Sequence, residues 1–221
     1  GYNFRQGDPA HAADRSVSTR LRCVTLFSHP HHLVPIPSDV TTLPQPLPRR
    51  IDTARLVLRP PVPDDAEAIF AAYCQDPEVC RYMMWVPHAS VEVTRQFIDW
   101  CIRAWSGNAV FPYMLARHGD AQAIGMVDAR VTEHRLSVGY VLARAHWGQG
   151  YMPEAVRALG DIALAQPTLF RMEATCDVDN LASARTLEKS GLVREGRLAR
   201  YTVHPNLSPE PRDCWLYAKA R

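Results

Sequence analysis

From residue 51 onward, apolar and polar positions recur with two different periods. "TARLVLRP" (53–60) alternates at every second position, with Leu56 and Leu58 on one face, and predicts a half-buried strand. "PDDAEAIFAAY" then changes to helical spacing, with Asp64 as N-cap and Glu67 three residues later as in a capping box. Ser90 opens a second helix, in which Val93, Phe97, Trp100, Cys101 and Ala104 recur at helical intervals. Three strand-like runs follow: "AVFPYMLARH" (109–118), "AIGMVDARVT" (123–132) and "RLSVGYVL" (135–142), with the turn signal Gly119-Asp120 between the first two. A helix from Pro153 to Ala165 turns Val156, Leu159, Ile162 and Ala163 toward a core. "LFRMEATCDV" (169–178) reads as a strand, Asn180 to Ser190 as a helix closed by Gly191, and "LVREGRLARYTV" and "RDCWLYAKA" as final strands. The predicted order is β-α-α-β-β-β-α-β-α-β-β, an α/β (α+β) chain without internal repeats.

Residues 1–50 break this pattern. They hold no Lys and no Glu, and six Arg stand against three Asp. Prolines from Pro30 to Pro48 keep the segment extended and remove ladder donors. It reads as an arm before a domain at 51–221, with the boundary at 50/51. Its Arg-rich start resembles an organelle transit peptide, against which Asp8 and Asp14 count. "SHPHH" (28–32) lacks the acidic neighbours of a four-ligand site, so no metal is expected.

The 221 residues, 47% hydrophobic and 22% charged, suit one well-cored domain plus an extension. A net charge of +2 gives no reason to expect nucleic acid or a membrane surface as partner. No apolar run is long enough to span a bilayer. Six cysteines without a CxxC pair point to reduced thiols and a cytoplasmic location.

The stretch "HWGQGYMPEA" (146–155) carries the clearest chemistry. An apolar strand ends before it, two glycines follow one residue apart, and a helix begins. Free N–H groups of a first helical turn point outward, and the helix dipole favours an anion. Glycine adds positive φ and close backbone approach. The expectation is a backbone phosphate cradle from Trp147 to Met152, with Pro153 suited to a helix start. A Walker loop is excluded because no Lys-Ser/Thr follows. A dinucleotide fingerprint would place its third glycine at Pro153, and three strands precede the junction where a βαβ unit needs one.

With its surroundings, the stretch resembles the GNAT acetyltransferase superfamily, and within it the branch of the ribosomal-protein N-terminal acetyltransferases. Four pieces carry the resemblance in order: "TARLVLRPPVPDDAEAIF", "SVGYVLARAHWGQGYMPEAVRAL", "VDNLASARTLEKSGLVREG" and "RDCWLYA". They cover 51–221 and leave the arm uncovered. The resemblance implies a central mixed, mostly antiparallel sheet of six to seven strands with about four helices. It implies acetyl transfer from acetyl-CoA, without a metal, to a small-molecule or peptide amine in a ternary complex, by a monomer or homodimer. It assigns Trp147, Gly148, Gln149, Gly150, Tyr151 and Met152 to the pyrophosphate loop. Val141 and Leu142 fall to the pantetheine strand, with the Leu142 N–H facing the thioester carbonyl. Asn180 and Ser183 become polar cofactor contacts, Ser183 relaying a proton to the leaving thiolate. Met83, Met84 and Trp85 fall on the acceptor side.

Two positions depart from the family pattern. Met152 stands where Gly or Ala is usual. Ser137 stands where the branch often has a carboxylate acting on the amine, and serine is no unaided general base near neutral pH. Glu133, His134 or, if it faces the cleft, Asp128 would then substitute, and the acceptor would be an amine of low pKa. The alternatives to an enzyme are an acetyl-CoA-binding module that has lost its chemistry, and an interaction protein that docks through its Pro/Arg arm.

Overall fold

The computed structural model describes residue 43 and residues 45–221. The "SHPHH" run and most of the arm lie outside them. In chain order the elements are β1 (Ile51–Asp52), β2 (Leu56–Arg59), α1 (Asp65–Ile69, continuing as a π-helical turn Phe70–Cys74), α2 (Pro77–Cys80) and α3 (Val91–Ala104). Then come β3 (Val110–Arg117), β4 (Ala123–Thr132), β5 (Arg135–Leu142), α4 (Tyr151–Leu164), β6 (Arg171–Asp177), α5 (Leu181–Lys189), β7 (Val193–Thr202) and β8 (Arg212–Ala220).

The strands form one sheet in the order β1-β2-β3-β4-β5-β6-β8-β7, antiparallel except for the parallel β5–β6 pair. The sheet is the mixed, mostly antiparallel one expected, with eight strands where six to seven were anticipated and five helices where about four were. The additions are the two-residue β1 and the four-residue α2. Both are too short to leave a periodic signature.

Side chains alternate between two cores. Leu136 and Val138 of β5 join Val127 and Ala129 of β4 and Val156 and Leu159 of α4 on one face. Val141 and Met126 join Ile69, Ile98 and Cys101 on the other, beneath α1–α3. The first half of the α3 stripe sits one residue later than the sequence pattern suggested. Thr94 and Ile98 are buried where Val93 and Phe97 were expected, Cys101 and Ala104 are buried as expected, and Phe97 and Trp100 are half-buried at its margin.

Two local expectations change. Asp64 stands at the N-cap position of α1 as expected, but makes no side-chain cap hydrogen bond. Asp65, the first helical residue, accepts from the Val62 N–H at 2.8 Å and pairs with both terminal nitrogens of Arg59. Glu67, free of any capping box, pairs with Arg95 of α3. Residues before Ile51 also pack on the core. Leu43 and Leu47 are buried in the core, and the Tyr113 hydroxyl donates to Pro48 O at 2.6 Å. Asn108 Nδ2 donates to Leu43 O at 2.9 Å. Two leucines among prolines carry no period that the sequence could show.

Candidate active site

β5 and β6 pair only at Arg135–Arg171, Leu136–Met172 and Ser137–Glu173. Both strands continue beyond that point without pairing, to Leu142 and Asp177, and the sheet opens into a wedge. A cavity of about 700 Å³ fills it. Ala143 N donates to Ile124 O at 2.9 Å, which fixes the alternation along β5. The register puts residues 141 and 139 opposite 126 and 128 of β4, so their N–H groups point to β4. Those of Tyr140 and Leu142 therefore point into the wedge. Val141 lines the cavity with its amide turned to β4; the amide facing the wedge beside Leu142's is that of Tyr140. The Leu142 carbonyl accepts from the Trp147 indole Nε1 at 2.7 Å, which ties the strand end to the following loop.

That loop turns at Gly148 and Gly150, with φ of +73° and +76°. An L-residue in this region is strained, which is the physical reason for two glycines. Gly150 is the N-cap of α4, so the first helical N–H groups open at the cavity mouth. The loop is buttressed from behind. Arg55 donates from Nη1 to Gln149 O at 2.9 Å, pairs through Nε with Glu154 at 2.7 Å, and lies 4.6 Å over the Tyr151 ring. Thr53 Oγ1 adds a 2.6 Å bond to Glu154. Gln149 is not among the cavity-lining residues: its side-chain amide donates to Ala145 O at 3.0 Å and its carbonyl accepts from Arg55. The unusual Met152 is buried in the core.

Across the wedge, Asn180 caps α5 by accepting from Ser183 N at 3.1 Å. Ser183 Oγ lies 2.8 Å from the Tyr140 hydroxyl. Burial raises the Tyr140 phenol above its ordinary value, so it stays protonated and can donate. Tyr140 was not singled out from the sequence. The signal available was its even position on β5, which places its side chain on the α4–α5 face.

The opposite face of the wedge holds Met83, Met84, Asp128, Ser137 and Gly139. Trp85 departs from expectation: it is buried in the core under α1–α3 and does not line the cavity. Glu133 and His134 depart too. They are exposed in the tight β4–β5 turn, Glu133 at φ +54°, outside the cavity lining. Asp128 is buried and lines the cavity. Its Oδ2 accepts from Arg130 Nε at 2.9 Å, while Oδ1 has no hydrogen-bond partner among the described residues. Burial raises its carboxyl, against the pull of Arg130. The β7–β8 loop closes this side, with Asn206 Nδ2 donating to Cys80 O at 2.6 Å and Trp85 O at 2.8 Å. His204 of that loop also lines the cavity, and burial holds its imidazole below the ordinary value against the pull of Asp177. No cluster of metal-ligating side chains occurs among the described residues. Nor is any helix there long and apolar enough to cross a membrane.

The sequence model of the family described as "Acetyltransferase (GNAT) domain" matches residues 55–193. The chain is 29% identical over 174 residues to the uncharacterized N-acetyltransferase YoaA of Bacillus subtilis, covering 77% of this chain and 97% of that one. Among solved structures it is similar to a GNAT-family acetyltransferase from Bacillus anthracis, at 26% identity and a TM-score of 0.69 over 77% of this chain and 98% of that one. It also shares its fold with RimL, a ribosomal-protein α-N-acetyltransferase in complex with coenzyme A. There the identity is 20% and the TM-score 0.67, over 80% of this chain and 98% of that one.

Proposed function

The chain belongs to the GNAT acetyltransferase family and is an acetyl-CoA-dependent acyltransferase, and from that premise we propose that it acetylates the α-amine at a protein or peptide N-terminus. The observation that carries the reading is the wedge itself. A strand with two inward amides, Tyr140 and Leu142, leads to a glycine cradle at a helix start. The pyrophosphate rests on N–H groups from Gly148 to Met152, with the dipole of α4 behind them. The pantetheine arm pairs with the open edge of β5 as an added strand would. The Leu142 N–H faces the thioester carbonyl and stabilises the oxyanion as it develops. Ser183, hydrogen-bonded to Tyr140, returns a proton to the departing thiolate.

An α-amine has a reference pKa of ~7.7–8.0 against ~10.4 for lysine, so it loses its proton more readily near neutral pH. The RimL neighbour, an α-N-protein acetyltransferase by name, supports the same class at the level of fold. Met83 and Met84 supply an apolar, adaptable wall for the first residues of the acceptor. The test is a thiol-release assay with three acceptors: an alanine-initiated peptide amide, an N-terminally blocked peptide with one lysine, and spermidine. The reading predicts kcat/KM at least tenfold higher for the first. A preference for spermidine would assign a small-molecule amine, and a preference for the blocked peptide a lysine side chain.

A further inference from the structure

Ser137 leaves the usual place of the amine-side carboxylate without one, and the structure offers a carboxylate one strand away. Asp128 of β4 lies directly opposite Gly139 of β5. Directly opposed residues have Cβ atoms ~4.5–5.5 Å apart, and the diagonal neighbours, here Ser137 and Val141, lie ~7–8 Å away. Glycine at 139 contributes no side chain, and a Cβ there would meet nothing within 4 Å. Asp128 thus lines the cavity across a strand position that carries no side chain, while the residue itself is 3% exposed. Its Oδ2 is held by Arg130 and its Oδ1 has no partner among the described residues. A buried carboxylate oxygen left without a donor is costly, and a site keeps one where a ligand supplies the donor.

We infer that Asp128 is the catalytic base, its Oδ1 receiving the proton of the acceptor ammonium directly or through one water held by Ser137. This rests on the acetyltransferase reading above. The wedge then has a divided chemistry. Asp128 works from the face beneath α1–α3, and the Tyr140–Ser183 pair from the α4–α5 face. An amine entering past Met83 and Met84 gives one proton to Asp128. Its lone pair then forms the C–N bond to the thioester carbon. The C–S bond breaks, the amide nitrogen loses its second proton, and the thiolate gains one through Ser183. Asp128 returns its proton to solvent, so the turnover yields the amide, free coenzyme A thiol and one released proton.

The charged and titratable groups facing Asp128 are Arg130 on its own strand and the Cys101 thiol of α3. Glu173, opposite Ser137 on β6, is tied to Arg171 and Arg135. Burial against this background keeps Asp128 a stronger base than an exposed carboxylate.

The test compares wild type, Asp128→Asn and the double variant Asp128→Asn/Ser137→Glu. Acetyl-CoA dissociation constants are measured for each, with kcat/KM for the alanine-initiated peptide amide from pH 6 to 9.5. Asparagine keeps the shape and can still accept from Arg130, so acetyl-CoA should bind Asp128→Asn within twofold of wild type. Its kcat/KM near pH 7 should fall ~100-fold or more, the usual worth of a positioned base. The deficit should narrow above pH ~8, where the α-amine is neutral without help. The double variant, with its carboxylate restored at 137, should recover at least tenfold. An Asp128→Asn enzyme within threefold of wild type at pH 7 overturns the assignment. So does an acidic limb that persists in Asp128→Asn and disappears in His204→Asn. A wild type that binds no acetyl-CoA overturns instead the reading beneath it.

Discussion

Gly125 tests whether the open edge of β5 is the cofactor's rail. It sits on β4 opposite Leu142, and a Cβ built there lies 2.5 Å from the Val141 carbonyl oxygen and 3.2 Å from Leu142 Cα. The nearer contact is backbone, so no rotamer relieves it. Ordinary contact begins near 3.4 Å, so β5 must retreat by about 0.9 Å at its cleft end in Gly125→Ala. Overpacking of this size costs ~1–3 kcal/mol. In a domain of this length, each kcal/mol lowers the melting temperature by ~2–4 °C. The retreat moves the Leu142 and Tyr140 amides together. One hydrogen bond to the cofactor, worth ~1 kcal/mol, would be lost or strained, which is ~5-fold in affinity. Differential scanning fluorimetry and acetyl-CoA titration on the same samples read both effects. A lower melting temperature with unchanged acetyl-CoA affinity would refute the claim that this strand end pairs with the cofactor.

Three further outcomes are expected. Leu47→Ala should destabilise by ~2–5 kcal/mol in chemical denaturation, as a fully buried leucine does; a loss under 0.5 kcal/mol would contradict the packing of residues before Ile51 on the core. Ser183→Ala and Tyr140→Phe should each lower kcat about tenfold or more while acetyl-CoA affinity holds within threefold; equal losses in affinity would make the pair a binding contact. His88, whose Nδ1 lies 2.8 Å from Thr94 Oγ1, is lowered by burial from 6.5 to about 4. The unfolded chain therefore binds more protons between pH 6.5 and 4, and stability falls as pH drops through that window. His88→Gln should flatten this part of the stability–pH curve, and an unchanged slope would assign it elsewhere.

The strands and long helices were legible because each buries one face, and burial imposes a period. The wedge was not. It arises where parallel pairing stops after Ser137 and Glu173, and neither residue differs in pattern from its neighbours. The cradle was readable because its two glycines answer a backbone need that no other residue meets without strain. Side-chain roles were harder. Asp128 lies within a strand buried almost throughout, and only its register against Gly139 shows that it reaches the cavity. Trp85 was placed on the acceptor side by the resemblance alone, because the loop holding it has no period; packing under α1–α3 decides its place.

The central claim is that backbone, not side chains, holds a pyrophosphate at the start of α4. It is tested most directly by calorimetric titration of acetyl-CoA into the wild type and Gly150→Glu, with melting temperatures measured alongside. At φ +76°, glutamate costs ~1–2 kcal/mol of strain, and its Cβ would stand 3.5 Å from Arg55 Nη2, the side chain that holds the loop in place. The account predicts saturable one-site binding by the wild type and affinity lower by at least 100-fold in a variant that is still folded. Equal binding by both proteins, or none by the wild type, would contradict it.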